Sequence, residues 1–436
     1  MASPEIAIIG AGIAGLTLAL ALKRKGGLQP HVFEGASGFD DNVGGAFGLY
    51  PNGLKVLRDI GGPQLLSDVL GVSLPYQYRR WMKHDGREVA VAEESHLEQD
   101  GIPSVGIRRW RLQKCLTTAC MREGIEISFN KRLAEVRNPE GDSRGKVSVM
   151  FDDGSILYAD FVFGCDGAKS RVRDSLFGPL DPVYSGITCL MGAANIPRPK
   201  RGICFPTGPN KRHGVWYPVS ETEQIFQIYT PAPLNPETWR PLTPEETRSQ
   251  MRELAATLRE DGWAEDFVRP VEEGTSVLRV GIRDREPVKQ WYRGRCVLLG
   301  DAAHPVPPYL GQGAMMSLED VGTFALCFEQ NPRVLSVDCS VAEFQAVCET
   351  YQKHRFPRAL NTLLTSRALG RMQLTRTDSS FSAAIREWEL WATVKIYGTL
   401  PGLKRGSAYD YKKEVKAAEG WDMSDRKINV HVQPRL

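Results

Sequence analysis

A short β-branched run that stops at three spaced glycines constrains this chain more than any other feature in it. Glu5-Ile6-Ala7-Ile8-Ile9 reads as a strand buried on both faces, since it is apolar without alternation and too short for a helix. Gly10-Ala11-Gly12-Ile13-Ala14-Gly15 follows at once, and Leu16, Leu18, Leu20 and Leu22 with Lys23 carry the chain on as a compact helix. His31-Val32-Phe33-Glu34 is the next strand and ends in an acid. Strand, glycine turn, helix, strand and acid in that order are the context of a dinucleotide-binding turn. Gly10 permits the tight turn, Gly12 lets the backbone approach a pyrophosphate, and Gly15 lets helix and strand pack closely. The helix start offers unpaired N–H groups and a positive dipole end to phosphates. Glu34 can accept both hydroxyl hydrogens of an adenosine ribose, where a 2′-phosphate would be repelled. The turn alone does not separate NAD from FAD.

A second block lies far along the chain. Cys296-Val297-Leu298-Leu299 reads as a buried strand, followed by Gly300-Asp301-Ala302-Ala303-His304-Pro305, Pro308 and Gly311-Gln312-Gly313-Ala314. A strand ending in Gly-Asp, a Pro-bearing turn and a Gly-rich helix start can hold part of a large polar cofactor. A third segment joins them: Phe161-Val162-Phe163-Gly164, a buried strand, runs into Cys165-Asp166-Gly167-Ala168-Lys169-Ser170-Arg171.

Together these three segments resemble the group A flavoprotein monooxygenases of the para-hydroxybenzoate and salicylate hydroxylase type, in a style similar to the fungal enzymes of secondary metabolism. The resemblance spans roughly residues 4–330. It implies one bound FAD, NADPH or NADH as electron donor, and transfer of one atom of O2 from the flavin C4a position to an aromatic or apolar small molecule, by hydroxylation or epoxidation. It implies that Glu34 holds the adenosine ribose, that Asp301 holds the ribityl hydroxyls, and that Asp166 serves FAD and NADPH binding. The amides of Gly311, Gly313 and Ala314 would face the flavin pyrimidine edge, and Gly45-Ala46 would be the loop that approaches the ring. Arg109, three residues before Leu112, matches the arginine that reaches the FAD phosphate and ribose, with Arg108 and Arg111 as rivals. Tyr217 sits where the substrate sheet crosses above the flavin, and its phenol could orient or deprotonate a substrate hydroxyl. His304 reads as a satisfied turn histidine. Thr188-Cys189-Leu190-Met191-Gly192 lacks the arginine that some fungal members place there, which favours a neutral substrate.

Two other readings stay open: another flavin oxidoreductase of the same fold (an oxidase, a reductase or a halogenase), and a binding protein that keeps the fold without catalysis. The halogenase signature Trp-x-Trp-x-Ile-Pro is missing, and a non-catalytic descendant need not keep Glu34, Asp166 and Asp301 together. A formal charge of +3 over 436 residues is too small to argue for nucleic acid or an anionic membrane. The nine cysteines show neither a disulfide framework nor zinc spacing, so no metal site is expected. No stretch approaches the ~20 apolar residues of a membrane span, and the chain reads as soluble and cytoplasmic.

The expected architecture is α/β: a Rossmann-like FAD-binding domain with an inserted mixed β-sheet substrate domain and a C-terminal helical region. Residues 1–72, 106–180 and 291–330 would form the first, 73–105 and 181–290 the second, and 331–436 the third. Strands are expected near Ile187–Ala194, Gly214–Val219, Gln224–Tyr229 and Ser276–Ile282, with a hairpin around His84–Arg87 and covering helices between Pro244 and Arg269. The spacing after residue 340 predicts helices over Val341–Arg355, Leu360–Arg376 and Phe381–Tyr397, and the charged segment from Lys404 reads as a loosely held extension.

Overall fold

The computed structural model describes residues 3–39, 45–98, 100–139, 145–197, 200–233, 242–374 and 380–419. Ile6–Ile9 lies at the centre of a six-stranded sheet in the order Tyr292–Arg293, Cys296–Leu298, Phe161–Gly164, Ile6–Ile9, Pro30–Phe33, Glu126–Ser128. All neighbours are parallel except the edge strand Tyr292–Arg293. The absence of alternation in the sequence has its cause here, because Ile6, Ile8, Phe161 and Phe163 are all fully buried with protein on both faces. Helix Ile13–Gly26 packs against helix Gly313–Glu329, so the first and last segments of the cofactor signature share one wall.

A seven-stranded sheet carries the order Gly274–Asp284, Val183–Asn195, Glu223–Pro231, His213–Pro218, Gly202–Thr207, Tyr78–Lys83, Glu88–Glu93. The hairpin Tyr78–Lys83/Glu88–Glu93 joins it through a parallel pairing of Tyr78–Lys83 with Gly202–Thr207. Alternation along these strands sorts the residues onto two faces. Trp216, Phe226, Ile228 and Val277 point toward helices Pro244–Glu260 and Glu265–Glu272 and form a core with Met251, Leu258 and Phe267. Tyr217, Ile225 and Ala193 point the other way and pack with Ala46 and Tyr76. A small antiparallel sheet of Ala46–Leu49, Val105–Arg108 and Leu74–Pro75 lies beside that second face.

The C-terminal region departs from expectation twice. Val341–Leu374 is one helix of 34 residues with Pro357 inside it, not two helices broken near that proline. A proline removes one backbone hydrogen bond and crowds the preceding turn, but Arg355 and Arg358, on either side of it, are both ion-paired to Glu319, and these contacts hold one axis. Arg376 lies outside the described residues. The segment from Lys404 is not loosely held through residue 419. Helices Pro401–Ser407 and Tyr411–Glu419 form, and Tyr411 and Val415 are buried, Tyr411 donating its hydroxyl hydrogen to Asp59 at 3.1 Å. Residues 420–436 lie outside the described residues. Among the described residues no helix is long and apolar enough to cross a membrane.

Candidate functional site

The three glycines of the first turn do different jobs. Gly10 has φ +102°, and a Cβ there would lie 2.5 Å from the Cys165 carbonyl oxygen at the end of the neighbouring strand. At Gly15 a Cβ would lie 2.0 Å from the Gly10 oxygen. Those two glycines answer to the protein's own packing. At Gly12 a Cβ would meet nothing within 4 Å, and no side chain caps the helix that Gly12 begins. Its first N–H groups therefore face open space, the arrangement that receives phosphate oxygens. Glu34, one residue past its strand, accepts from Ala11 N and Ala36 N, both at 2.9 Å, which fixes the carboxylate at the lip of that space.

The space is a cavity of about 660 Å3 lined by Gly10, Gly12, Glu34, Arg109, Gln113, Lys131, Arg132, Asp166, Gly167, Lys169 and Arg171 among others. Its cationic side chains outnumber its carboxylates, which suits a pyrophosphate. Asp166 uses Oδ2 to accept from Arg171 N (2.7 Å) and Val172 N (3.1 Å), holding the start of helix Arg171–Phe177, while Oδ1 is buried without a hydrogen-bond partner. Burial pushes its pKa up, against the pull of Ser170 and those two amides. A buried acceptor with no donor is the kind of group a ligand hydroxyl satisfies.

The contest among the three arginines is decided by one acid from the other sheet. Glu223 accepts from Arg108 at 2.8 Å and from Arg111 at 3.2 Å. Arg109, the first residue of helix Arg109–Arg122, is exposed and lines the cavity, with its own N–H donating to Gly45 O at 3.0 Å. Gln113, one helical turn on, faces the same way and donates to Ala11 O at 2.8 Å. The i, i+4 spacing from Arg109 was the signal for Gln113.

At the other end, Gly300 turns with φ +63°, where a Cβ would strike Ser317 Oγ at 2.6 Å, and its N–H donates to Asp320 at 2.8 Å. Asp301 follows. Burial raises its pKa, Asp320 pushes the same way, and His304 and Arg109 pull back; no hydrogen bond contributes. His304 is buried and hydrogen-bonded through Nε2 to Asp320 at 2.6 Å, so it supports the turn. Gly311 has φ +62° beside the Tyr50 hydroxyl, and Gly313 and Ala314 open helix Gly313–Glu329. The carboxylate of Asp301 in a low-dielectric recess, the bare N-terminus at Gly12 and the orphaned oxygen of Asp166 fit the hydroxyl and phosphate groups of FAD.

Between the two ends lies the loop of Gly45 and Ala46. A Cβ on Gly45 would meet Met191 Sδ at 2.6 Å. Tyr217 is 2% exposed and donates its hydroxyl hydrogen to Ala46 O at 2.6 Å, while Gln227 Nε2 donates to that hydroxyl at 2.8 Å. Burial drives its pKa far up, so the phenol keeps its proton. In this structure Tyr217 holds the loop instead of standing free to take a substrate proton. Beyond it the sheet face continues as His213 stacked on Tyr229 (4.7 Å between ring centroids), with Tyr309 at 6.0 Å from Tyr229. Over Ile187–Ala193, Leu278–Ile282, His213–Tyr217 and Ile225–Tyr229, the residues on this face include no carboxylate, lysine or arginine. Arg79, nearer Tyr50, is paired with Glu94 at 2.7 and 2.9 Å. His213 and Gln227 escaped the sequence reading, although they share the alternation phase of Tyr217; Tyr229 is one of the aromatic residues whose character suits a substrate pocket in the sequence.

Arg285 escaped it as well. It is 5% exposed, and its Nε and Nη1 have no hydrogen-bond partner. Burial and the charge of Arg173 lower its pKa. Arg173 itself donates to Ala168 O and Ala302 O, each at 3.2 Å, and so ties the Asp-Gly turn to the Gly-Asp turn.

Comparison with known proteins gives the family and the fold. Residues 4–328 match the FAD binding domain family. The chain is 30% identical over 335 residues to a 6-hydroxynicotinate 3-monooxygenase of Pseudomonas fluorescens, covering 75% of this chain and 83% of that protein. It is 33% identical over 363 residues to a 3-amino-4-hydroxybenzoate 2-monooxygenase of Streptomyces cremeus, covering 82% and 86%. In fold it is similar to Klebsiella pneumoniae HpxO complexed with FAD and uric acid, with a TM-score of 0.76 at 23% identity over 92% of this chain and 97% of that one.

Proposed function

Because the chain belongs to the FAD binding domain family and is an FAD-dependent aromatic monooxygenase, we propose that it hydroxylates a neutral, planar aromatic molecule held between the His213–Tyr229 face and the Gly45–Ala46 loop. The observation that carries this reading is the lack of any carboxylate, lysine or arginine on that face over the strands given above. The relatives named above act on hydroxylated aromatic acids. A carboxylate brought against these strands with no lysine or arginine to meet it would lose much of its hydration without compensation. Planar rings, in contrast, match the stacked pair His213–Tyr229 and the facing Tyr309.

The bound flavin supplies oxygen activation and transfer to the ring, with NAD(P)H as electron source. The protein supplies placement. Glu34 would hold the adenosine ribose, the Gly12 amides and Arg109 the pyrophosphate, Asp166 and Asp301 the remaining hydroxyls, and the Gly313 helix start the pyrimidine edge. Tyr217, through Ala46 O, would set the height of the loop beneath the ring system. Arg285, a buried guanidinium with two idle donors, would receive a phosphate of the nicotinamide dinucleotide. The apolar sheet face excludes water from the reacting centre.

The test is a panel of neutral phenols and fused-ring hydroxyarenes beside their carboxylated counterparts. Neutral members should stimulate NAD(P)H oxidation and yield a product heavier by one oxygen atom. Stimulation confined to the carboxylates would overturn the substrate reading, and a purified chain that stays colourless with FAD would overturn the flavin site.

A further inference from the structure

Beneath the Gly-Asp turn lies a buried ionic cluster supplied by the C-terminal helix. Arg355, on Val341–Leu374, is fully buried: Nε donates to Asp320 Oδ1 at 2.7 Å, Nη1 pairs with Glu319 Oε2 at 2.8 Å, and Nη2 donates to Met316 O at 3.3 Å. Asp320 uses its other oxygen for Gly300 N at 2.8 Å and His304 Nε2 at 2.6 Å. Glu319 accepts from Asn52 Nδ2 at 2.7 Å, and the same amide donates to Gln312 Oε1 at 3.0 Å. Gly300 immediately precedes Asp301, and Gln312 immediately precedes Gly313. One guanidinium therefore reaches, through two carboxylates, both the turn that presents Asp301 and the start of the helix aimed at the flavin.

A buried ion cluster is an inefficient way to stabilise a fold, because apolar side chains of similar volume do as well or better. What it provides is fixed geometry, since a planar fork with two carboxylate partners allows little drift. We propose that Arg355 is a positioning residue of the flavin site, setting the spacing between Asp301 and the N-terminus of helix Gly313–Glu329 without touching the cofactor. The proposal rests on the assignment of that carboxylate and that helix to FAD.

The test uses full-length apoprotein and FAD. Arg355→Lys keeps the charge but cannot reach both carboxylates at once, and Arg355→Gln removes it. Each should raise the FAD Kd at least about tenfold, about 1.4 kcal/mol, read by quenching of FAD fluorescence, and Arg355→Gln should in addition lower the flavin midpoint potential by taking from Asp320 the guanidinium that compensates it, while Glu319 keeps Arg358. A lower Tm of the apoprotein with the FAD Kd within twofold of wild type and an unchanged midpoint potential would make Arg355 ordinary structural glue and overturn the proposal. If neither variant folds, the unmodified protein decides. Adding FAD should slow amide exchange in the turns around Arg355, which the cofactor does not contact, because coupling between two sites is reciprocal; unchanged exchange there would overturn the proposal. Asp301→Ala separates the two ideas. Full FAD affinity in that variant would sink the assignment of Asp301, whereas weakened affinity there beside a wild-type Kd in Arg355→Lys would sink only the role of Arg355.

Discussion

Adding one methyl group at Gly12 and one at Gly10 should separate cofactor binding from folding. Gly10→Ala places an L side chain at φ +102° and its Cβ 2.5 Å from Cys165 O, 2.8 Å from Cys165 C and 2.9 Å from Asp166 Cα, all backbone atoms that cannot swing aside. The disfavoured backbone costs about 1–3 kcal/mol and the overpacking about as much again, so roughly 2–6 kcal/mol in total, a large part of the ~5–15 kcal/mol that holds a protein folded. Gly12→Ala is different. Its φ of −78° is ordinary and its Cβ meets nothing within 4 Å, so the apoprotein loses only the advantage of glycine over alanine at an N-cap, about 0.5–1 kcal/mol. The new methyl group projects into the space from which a pyrophosphate must reach the helix N–H groups. FAD affinity should fall at least about tenfold. Thermal unfolding of the two apoproteins and titration of FAD by fluorescence quenching give both quantities. Gly12→Ala binding FAD as tightly as wild type would refute the reasoning, because the open volume above that glycine would then have no role in holding the cofactor.

Other outcomes can be set beside that one. Burial raises the pKa of Asp301 above 3.8, so its ionised form penalises the apoprotein. That penalty is absent below the ordinary carboxylate pKa and complete above the raised one. The stability of wild type relative to Asp301→Asn should therefore fall as pH rises through that window, and a difference independent of pH would contradict the burial argument. Tyr217→Phe leaves Ala46 O and Gln227 without their shared partner, a cost of about 1–3 kcal/mol. Flavin content should hold while the ratio of peroxide to hydroxylated product rises; an unchanged ratio would remove Tyr217 from the control of the loop. Arg285→Gln should raise the KM for NAD(P)H at least about tenfold, in line with the loss of a charge-assisted contact, with FAD content unaltered. A KM equal to wild type would show that the idle donors of Arg285 serve no nucleotide.

What could be read from the chain was whatever the chain decides locally. The strands Ile6–Ile9 and Phe161–Gly164 and the turn glycines follow from β-branching and local backbone conformation, and the family resemblance is what joined these segments across the chain. Arg109 could not be separated from its neighbours that way, because the choice is made by Glu223, more than a hundred residues distant, which occupies Arg108 and Arg111. The spacing divides this helix between Arg355 and Leu360, where Pro357 is a local penalty, and the ion pairs that override it come from Glu319 and Asp320 on another helix. The segment from Lys404 looked sparse in apolar residues, yet buried Tyr411 and Val415 dock it, helped by the contacts of Tyr411 and Lys412 with Asp59. The contact of Tyr217 was hidden for the same reason: the resemblance places it on the substrate sheet, but only the tertiary approach of Ala46 O shows what its hydroxyl meets.

The parallel pairing of Tyr78–Lys83 with Gly202–Thr207 has a consequence for how the protein is made. At ribosomal speeds of ~5–20 residues per second, the roughly 120 residues between these strands take about 6–25 s to emerge. Throughout that interval the hairpin Tyr78–Lys83/Glu88–Glu93 has one open edge exposed to other chains. A cofactor site that uses both Gly10 and Ala314 would wait longer still, since helix Gly313–Glu329 is made after both sheets. On that assignment FAD would enter a nearly finished molecule, and the yield of active enzyme would depend on how long the nascent apoprotein stays unaggregated until its last wall is in place.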